Sequence, residues 1–268
     1  MSYELVIVGG GKMGSALAEG LLRAQWCAPE RLAVVDHTAS TRESLTKRLA
    51  GVAILPSLEL GDVDENTGAL LCVKPDYAES VARSIGALGV RRLLSVVAGL
   101  TTARIESVMV QPVAVVRSMP NTPVLVGKGV SAIAGGAHVT ADDLVWAESI
   151  LGAVGTVVRV TERNIDVVTG LSGPMPAYLY LIVEALIEAG VYQGLPRAVA
   201  QTLVVDSLEG TAALLKQTGT SPEELRHQVT SPGGTTAAGL RALENRSVRA
   251  AMIDAVSAAA DRSRQLGR

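Results

Sequence analysis

Gly9-Gly10-Gly11-Lys12-Met13-Gly14 has the spacing G-x-G-x-x-G, directly after the apolar run 5–8 and directly before a helical pattern. In that context each glycine has a task. Gly9 permits a tight turn, Gly11 lets the backbone approach a pyrophosphate, and Gly14 lets the helix lie close on the strand. Lys12 and Met13 open the helix, whose N-terminus carries unpaired N–H groups and the positive end of its dipole. The segment is therefore a candidate dinucleotide seat. Asp36 stands 22 residues past Gly14, at the end of a second apolar run. A carboxylate there accepts hydrogen bonds from the two hydroxyls of an adenosine ribose and repels a 2′-phosphate, which favours NADH over NADPH. Thr38, Ser40, Thr41 and Arg42 follow at once. They cradle a phosphate if the loop turns Asp36 away; a simple solvated loop is the third reading.

Further along, Val73-Lys74-Pro75 ends the fourth apolar run and Ala98-Gly99 the fifth. Ligands of open α/β sheets bind at those strand ends, so these residues are candidates for the nicotinamide riboside, with a plain surface lysine as the alternative for Lys74. Met119-Pro120-Asn121-Thr122-Pro123 is a twice-proline loop at the same edge, in which Asn121 either orients a ligand or forms the turn. The densest polar cluster comes late: Thr230-Ser231-Pro232-Gly233-Gly234-Thr235-Thr236, just before another helical pattern. Two glycines and four hydroxyls at a helix start expose backbone N–H groups suited to a carboxylate, where capping alone needs one Ser or Thr.

The elements that carry these residues fall into two halves. Six apolar runs of four or five residues, 5–8, 32–35, 52–55, 70–73, 93–97 and 113–116, read as buried strands. Between them lie helical patterns at 13–24, 42–49, 76–88 and 102–108. This alternation predicts a parallel sheet covered on both faces. Runs 130–134 and 156–160 flank a helix that Thr140 can cap. After residue 161 the strands stop, and helices are expected at 176–189, 197–216, 235–244 and 248–266, the last capped by Ser247. The fold class is α/β: a Rossmann-like doubly wound sheet over 1–160, then an all-helical domain over 161–268 for dimerisation and substrate binding. Segment 179–187 is apolar except for Glu184, which suits burial between subunits or the centre of a single-chain bundle.

The 268 residues are 48% hydrophobic and 19% charged, with a formal net charge of -2. That excludes disorder and leaves no basic field for nucleic acid or anionic lipid. No Phe and only 3% aromatic residues argue against a base-stacking surface. The uncharged stretch 167–183 is interrupted by Gly170, Gly173, Pro174 and Pro176, against a membrane span. The N-terminus lacks a secretory pattern, so a cytoplasmic protein is expected. Cys27 and Cys72 read as reduced, buried thiols, and His37, His138 and His227 are too dispersed to suggest a metal site.

These motifs, with Ala177-Tyr178 leading to Glu184-Ala185-Leu186, Gly194-Leu195-Pro196-Arg197 and the stretch 225–244, resemble the pyrroline-5-carboxylate reductase family over nearly the whole chain. The resemblance implies reduction of the cyclic imine 1-pyrroline-5-carboxylate to L-proline by NADH or NADPH, in a homodimer of interleaved helical domains that can assemble further. It places Thr236 against the imine nitrogen as the catalytic residue, and Ser231, Gly233 and Gly234, with Thr235 beside them, around the substrate carboxylate. One segment departs from the family pattern L-S-G-S-G-P-A-Y: this chain has Leu171-Ser172-Gly173-Pro174-Met175-Pro176-Ala177-Tyr178, in a loop that the resemblance sets beside nicotinamide and imine. A reductase for another cyclic imine, or a non-catalytic nucleotide-binding relative, therefore stays open. β-Hydroxyacid dehydrogenases share the architecture but use a lysine on the first helix of the second domain, and 176–189 has none.

Overall fold

The computed structural model describes residues 3–267. Eight strands, β1 (Leu5–Val8), β2 (Leu32–Val35), β3 (Ala53–Leu55), β4 (Gly68–Leu71), β5 (Arg92–Ser95), β6 (Ala114–Met119), β7 (Gly129–Gly135) and β8 (Gly155–Arg159), form one sheet. Their order is β3-β2-β1-β4-β5-β6-β7-β8. Among them run α1 (Lys12–Arg23), α2 (Ala39–Arg48), α3 (Pro75–Ala87), α4 (Thr102–Ser107) and α5 (Ala141–Gly152). Alternate strand side chains enter two cores. One gathers Leu5, Ile7 and Leu70 with Leu17 and Leu21 of α1 and Ile150 of α5. The other gathers Val6, Ala69 and Leu93 with Ala78 and Ile85 of α3 and Ile105 of α4. Because both faces are covered, the strands need continuous apolar runs in place of alternation.

The sheet is not parallel throughout. β1 to β6 are parallel, whereas β7 runs antiparallel to β6 and β8 parallel to β7. Residues 120–128 are too few for a crossover, which a parallel neighbour requires. They hold a 3-10 helix, Thr122–Val126, ended by Gly127 at φ 69°. Thr140 caps α5 as expected, in a reciprocal box with Asp143.

The helical half contains α6 (Glu162–Leu171), α7 (Met175–Tyr192), α8 (Arg197–Thr218), α9 (Pro222–Gln228), α10 (Thr235–Asn245) and α11 (Val248–Leu266). Neither α6 nor α9 is among the expected helices. The Ser247 cap takes another form: Ser247 stands at φ 54° and its carbonyl accepts from Ala251 N. By compactness the first unit runs on past residue 160 to Pro174. The first unit takes back the chain from Val256, and the second is Met175–Ala255. Close packing explains this: a Cβ at Gly170 of α6 would meet Val256 O at 2.5 Å and Ala260 N at 2.8 Å.

In the second unit α7 has no buried residue and α8 only Ala200. Leu181 is 67% exposed and Tyr192 88%. A single-chain bundle centred on 179–187 is thereby ruled out, since the apolar surface faces outward in the lone chain. Glu162–Tyr192 and Arg197–Thr218 are long and apolar enough to cross a membrane by length and composition alone, although Ser172–Pro174 interrupts the first between α6 and α7.

Candidate active site

The glycine loop occupies the crest of the sheet. β1 lies between β2 and β4, so the chain leaves β1 where successive connections diverge to opposite faces, the position at which open sheets bind ligands. Gly9 has φ 108°, and a Cβ there would sit 2.6 Å from Cys72 O. A Cβ on Gly14 would come within 1.9 Å of Gly9 O. Gly11, the N-cap of α1, differs, because nothing lies within 4 Å of its would-be Cβ. Two glycines therefore serve packing and the third faces open space, as a seat for an incoming pyrophosphate requires. Lys12 is exposed there, and Met13 is half-buried against the core.

Asp36 follows β2 and reaches back to this loop. Its Oδ2 accepts from Gly10 N at 2.9 Å and its Oδ1 from Thr38 N at 2.8 Å. The carboxylate thus braces the glycine turn while each oxygen keeps a lone pair. Arg42 Nη1 donates to Asp36 O at 2.9 Å, so a guanidinium stands in the same corner.

At the next strand ends, Val73 packs against the second core, and Lys74 is the exposed N-cap of α3 with Pro75 at its first position. Pro75, Ala98 and Gly99 line one cleft of about 250 Å³, with Arg104 and Leu266 on its border. Gly99 has φ 77°, and a Cβ on it would come to 3.0 Å from Leu266 and Gly267. Asn121 has its side chain engaged at both ends: Nδ2 donates to Ser172 O at 3.1 Å, and Oδ1 accepts from Val130 N at 2.8 Å. It ties β7 to the segment that carries Pro174. Near the glycine loop, burial raises the Cys72 thiol far above its usual range; burial, aided by the Glu4 charge, pushes Cys27 up to about 11. Both are free thiols, part-buried where the sequence suggested buried ones.

In the second unit, Ser231 to Gly234 make a turn closed by Gly234 N donating to Ser231 O at 3.1 Å. Gly233 takes φ 71°, and Gly234 is the N-cap of α10, without a side-chain cap bond. A Cβ on Gly234 would strike Ser231 Oγ at 2.4 Å. Gly234 therefore shapes the turn while its own N–H is already used. The N–H groups of Thr235, Thr236 and Ala237 open the helix with no carbonyl one turn back within it. Ser231, Gly233, Thr235 and Thr236 are all exposed in the single chain.

Comparison with known proteins agrees with both halves. Residues 4–99 match the family described as NADP oxidoreductase, coenzyme F420-dependent, and residues 162–266 match pyrroline-5-carboxylate reductase dimerisation. A pyrroline-5-carboxylate reductase of Corynebacterium melassecola is 42% identical over 98% of this chain and 98% of its own. The chain belongs to the pyrroline-5-carboxylate reductase family. The reductase of Synechocystis is also 42% identical, over the full length of both chains. Among solved structures, the Plasmodium falciparum pyrroline carboxylate reductase with NADP bound superposes with a TM-score of 0.87, at 30% identity over 99% of this chain and 98% of its own. The dimerisation family covers α6 to α11, and so includes α7 and α8, whose apolar residues stand open in the lone chain.

Members of the pyrroline-5-carboxylate reductase family are oxidoreductases with a nicotinamide cofactor, and the cradle of Gly9, Gly11 and Gly14 fits that group. The motifs alone do not reveal a charged interior at β6. Arg117 of β6 is 2% exposed and pairs with Asp166 of α6 at 3.0 Å. A signal was present, because an arginine inside the run Val115-Val116-Arg117-Ser118 demands a buried partner. α9 also had one: Ser221-Pro222-Glu223-Glu224 spells a capped helix start, and Ser221 Oγ accepts from Glu224 N at 3.2 Å. Among the described residues no group of His, Cys, Asp and Glu stands close enough to hold a metal ion.

Proposed function

We infer that this chain reduces the C=N bond of 1-pyrroline-5-carboxylate to give L-proline, with a nicotinamide dinucleotide as reductant. The carrying observation is the start of α10, a turn of exposed Ser231 and Gly233 and half-buried Gly234 under a helix N-terminus, in a chain 42% identical to named family members over its length. When bound, the reduced nicotinamide supplies the hydride. Gly9, Gly11, Gly14, Lys12 and Met13 hold the pyrophosphate end, and Val73, Lys74, Pro75, Ala98 and Gly99 the nicotinamide riboside. Asn121 acts from behind, through the loop it anchors.

A cyclic imine is basic enough to arrive partly as iminium near neutral pH, so the site needs no strongly shifted acid. The opening N–H groups of α10 and the Ser231 hydroxyl hold the substrate carboxylate, and the Thr236 hydroxyl fixes the ring nitrogen. These groups are exposed in one chain, and water must be kept from such a centre. A second copy covers α7, α8 and the seat in a homodimer, and light scattering at micromolar concentration tests this through mass; a monomer would refute it. The Asp36 charge favours NADH over NADPH, with Arg42 as the opposing group. Free thiols at Cys27 and Cys72 suit a reducing cytoplasm.

Pro174 and Met175 support one second reading, a different cyclic imine as substrate, because they remove an N–H and add an apolar side chain. NADH and NADPH oxidation with 1-pyrroline-5-carboxylate and with its six-membered homologue decides between the two. Turnover of the five-membered ring sustains the first reading, of the larger ring alone the second, and of neither overturns both.

A further inference from the structure

The interior between β6, α4, α6 and the end of α11 holds five polar side chains. Arg117 is buried, with Nη2 on Asp166 Oδ1 at 3.0 Å and Nη1 at 3.6 Å from Glu162 Oε1. Ser263 Oγ donates to the same Asp166 oxygen at 2.8 Å. Glu162 turns its other contacts toward α4: Oε1 accepts from Thr102 N and Oε2 from Thr102 Oγ1, both at 2.7 Å. Thr102 is the first residue of α4; Thr101 Oγ1 caps that helix locally by accepting from Arg104 N at 3.3 Å, and the carboxylate from 60 residues away takes the separate N–H of Thr102.

Thr102 stands three residues past Gly99. The turn between β5 and α4 is therefore held at its far end by Glu162 and along its flank by α11. There Gly99 abuts Leu266 and Gly267, and Arg104 donates to Gly267 O at 3.0 Å and pairs with Glu79. This turn carries Ala98 and Gly99 into the cleft shared with Pro75. Two carboxylates face one buried guanidinium, and the nearer, Asp166, already compensates it. The shorter contacts of Glu162 are those to Thr102, not the one to Arg117.

We propose that Glu162 is a positioning residue for the nicotinamide end of the dinucleotide, holding the Ala98–Gly99 turn through both hydrogen-bonding groups of Thr102. The proposal rests on the reading that this turn seats the nicotinamide riboside. It separates the two ends of one cofactor: the pyrophosphate cradle around Gly11 is built by β1 and α1 without Glu162, so removing the carboxylate loosens only the nicotinamide end.

The test is calorimetric titration of wild type and of Glu162→Ala with two probes. One is the reduced dinucleotide that wild type binds, NADH or NADPH. The other is the matching fragment without nicotinamide, ADP-ribose or its 2′-phosphate. Glu162→Ala is expected to weaken the whole dinucleotide about tenfold and the fragment less than twofold. Thr102→Val, which removes one of the two bonds, is expected to weaken the dinucleotide about threefold, and Thr102→Ser to restore wild-type binding. Should Glu162→Ala fail to fold, the Thr102 pair carries the same comparison. Equal weakening of both probes, or of neither, overturns the proposal. If wild type binds the fragment but gains nothing from the nicotinamide half, the reading of Ala98 and Gly99 fails, and the proposal with it.

Discussion

Replacing Gly11 with alanine adds one methyl group at the N-cap of α1, where nothing lies within 4 Å. The backbone there, φ −66° and ψ −166°, is open to alanine. The cost to folding is the weaker capping of alanine, about 1 kcal/mol or less, or roughly 2–4 °C in Tm for a chain of this size. The methyl nevertheless enters the space into which the opening N–H groups of α1 point. A dinucleotide held by those groups is expected to bind at least about tenfold more weakly, equivalent to about 1.4 kcal/mol. Gly14→Ala is the opposite case. Its Cβ would lie 1.9 Å from Gly9 O, so the helix or the turn has to shift by about 1 Å. Overpacking of that kind costs about 1–3 kcal/mol and lowers Tm by several degrees before any ligand is added. Scanning calorimetry of both variants, with titration of NADH and NADPH, reads the two effects separately. Unchanged cofactor affinity in Gly11→Ala would refute the pyrophosphate seat, and an unchanged Tm in Gly14→Ala would refute the packing argument.

Thr236→Ala is expected to leave Tm unchanged, because the side chain is exposed, and to lower kcat/KM for the imine about tenfold or more, about 1.4 kcal/mol of transition-state stabilisation; unchanged kinetics would remove Thr236 from the mechanism. Wild type is expected to use NADH at least as well as NADPH, and Asp36→Ser to move the ratio of the two kcat/KM values toward NADPH. A strong NADPH preference in wild type would give control of that corner to Arg42. Asp36→Ser also removes the acceptor of Gly10 N, so part of its effect should appear as weaker binding of both cofactors. Restoring the family residues with Pro174→Ser and Met175→Gly is expected to raise kcat/KM for 1-pyrroline-5-carboxylate, and equal rates before and after would show that the segment only joins α6 to α7.

Short-range pattern was enough for much of the architecture. Continuous β-branched runs mark strands buried on both faces, and Gly9 and Gly14 are legible because a turn and a close helix leave no room for Cβ. The Thr140-x-x-Asp143 cap and the glycine-rich opening of α10 are equally local. Tertiary structure decided what depends on partners distant in sequence. β7 reverses direction because the nine residues before it cannot cross over, a matter of reach and not of residue type. Asn121 proved to be an anchor with both ends of its side chain engaged, since its partners, Val130 and Ser172, lie up to 51 residues away. α6 escaped notice because only Ile165 and Gly170 are fully buried and its polar residues answer to Arg117 and Thr102. An amphipathic stripe announces a helix; two carboxylates that complete a buried guanidinium and a remote helix start do so only once the chain has brought β6, α4 and α6 together.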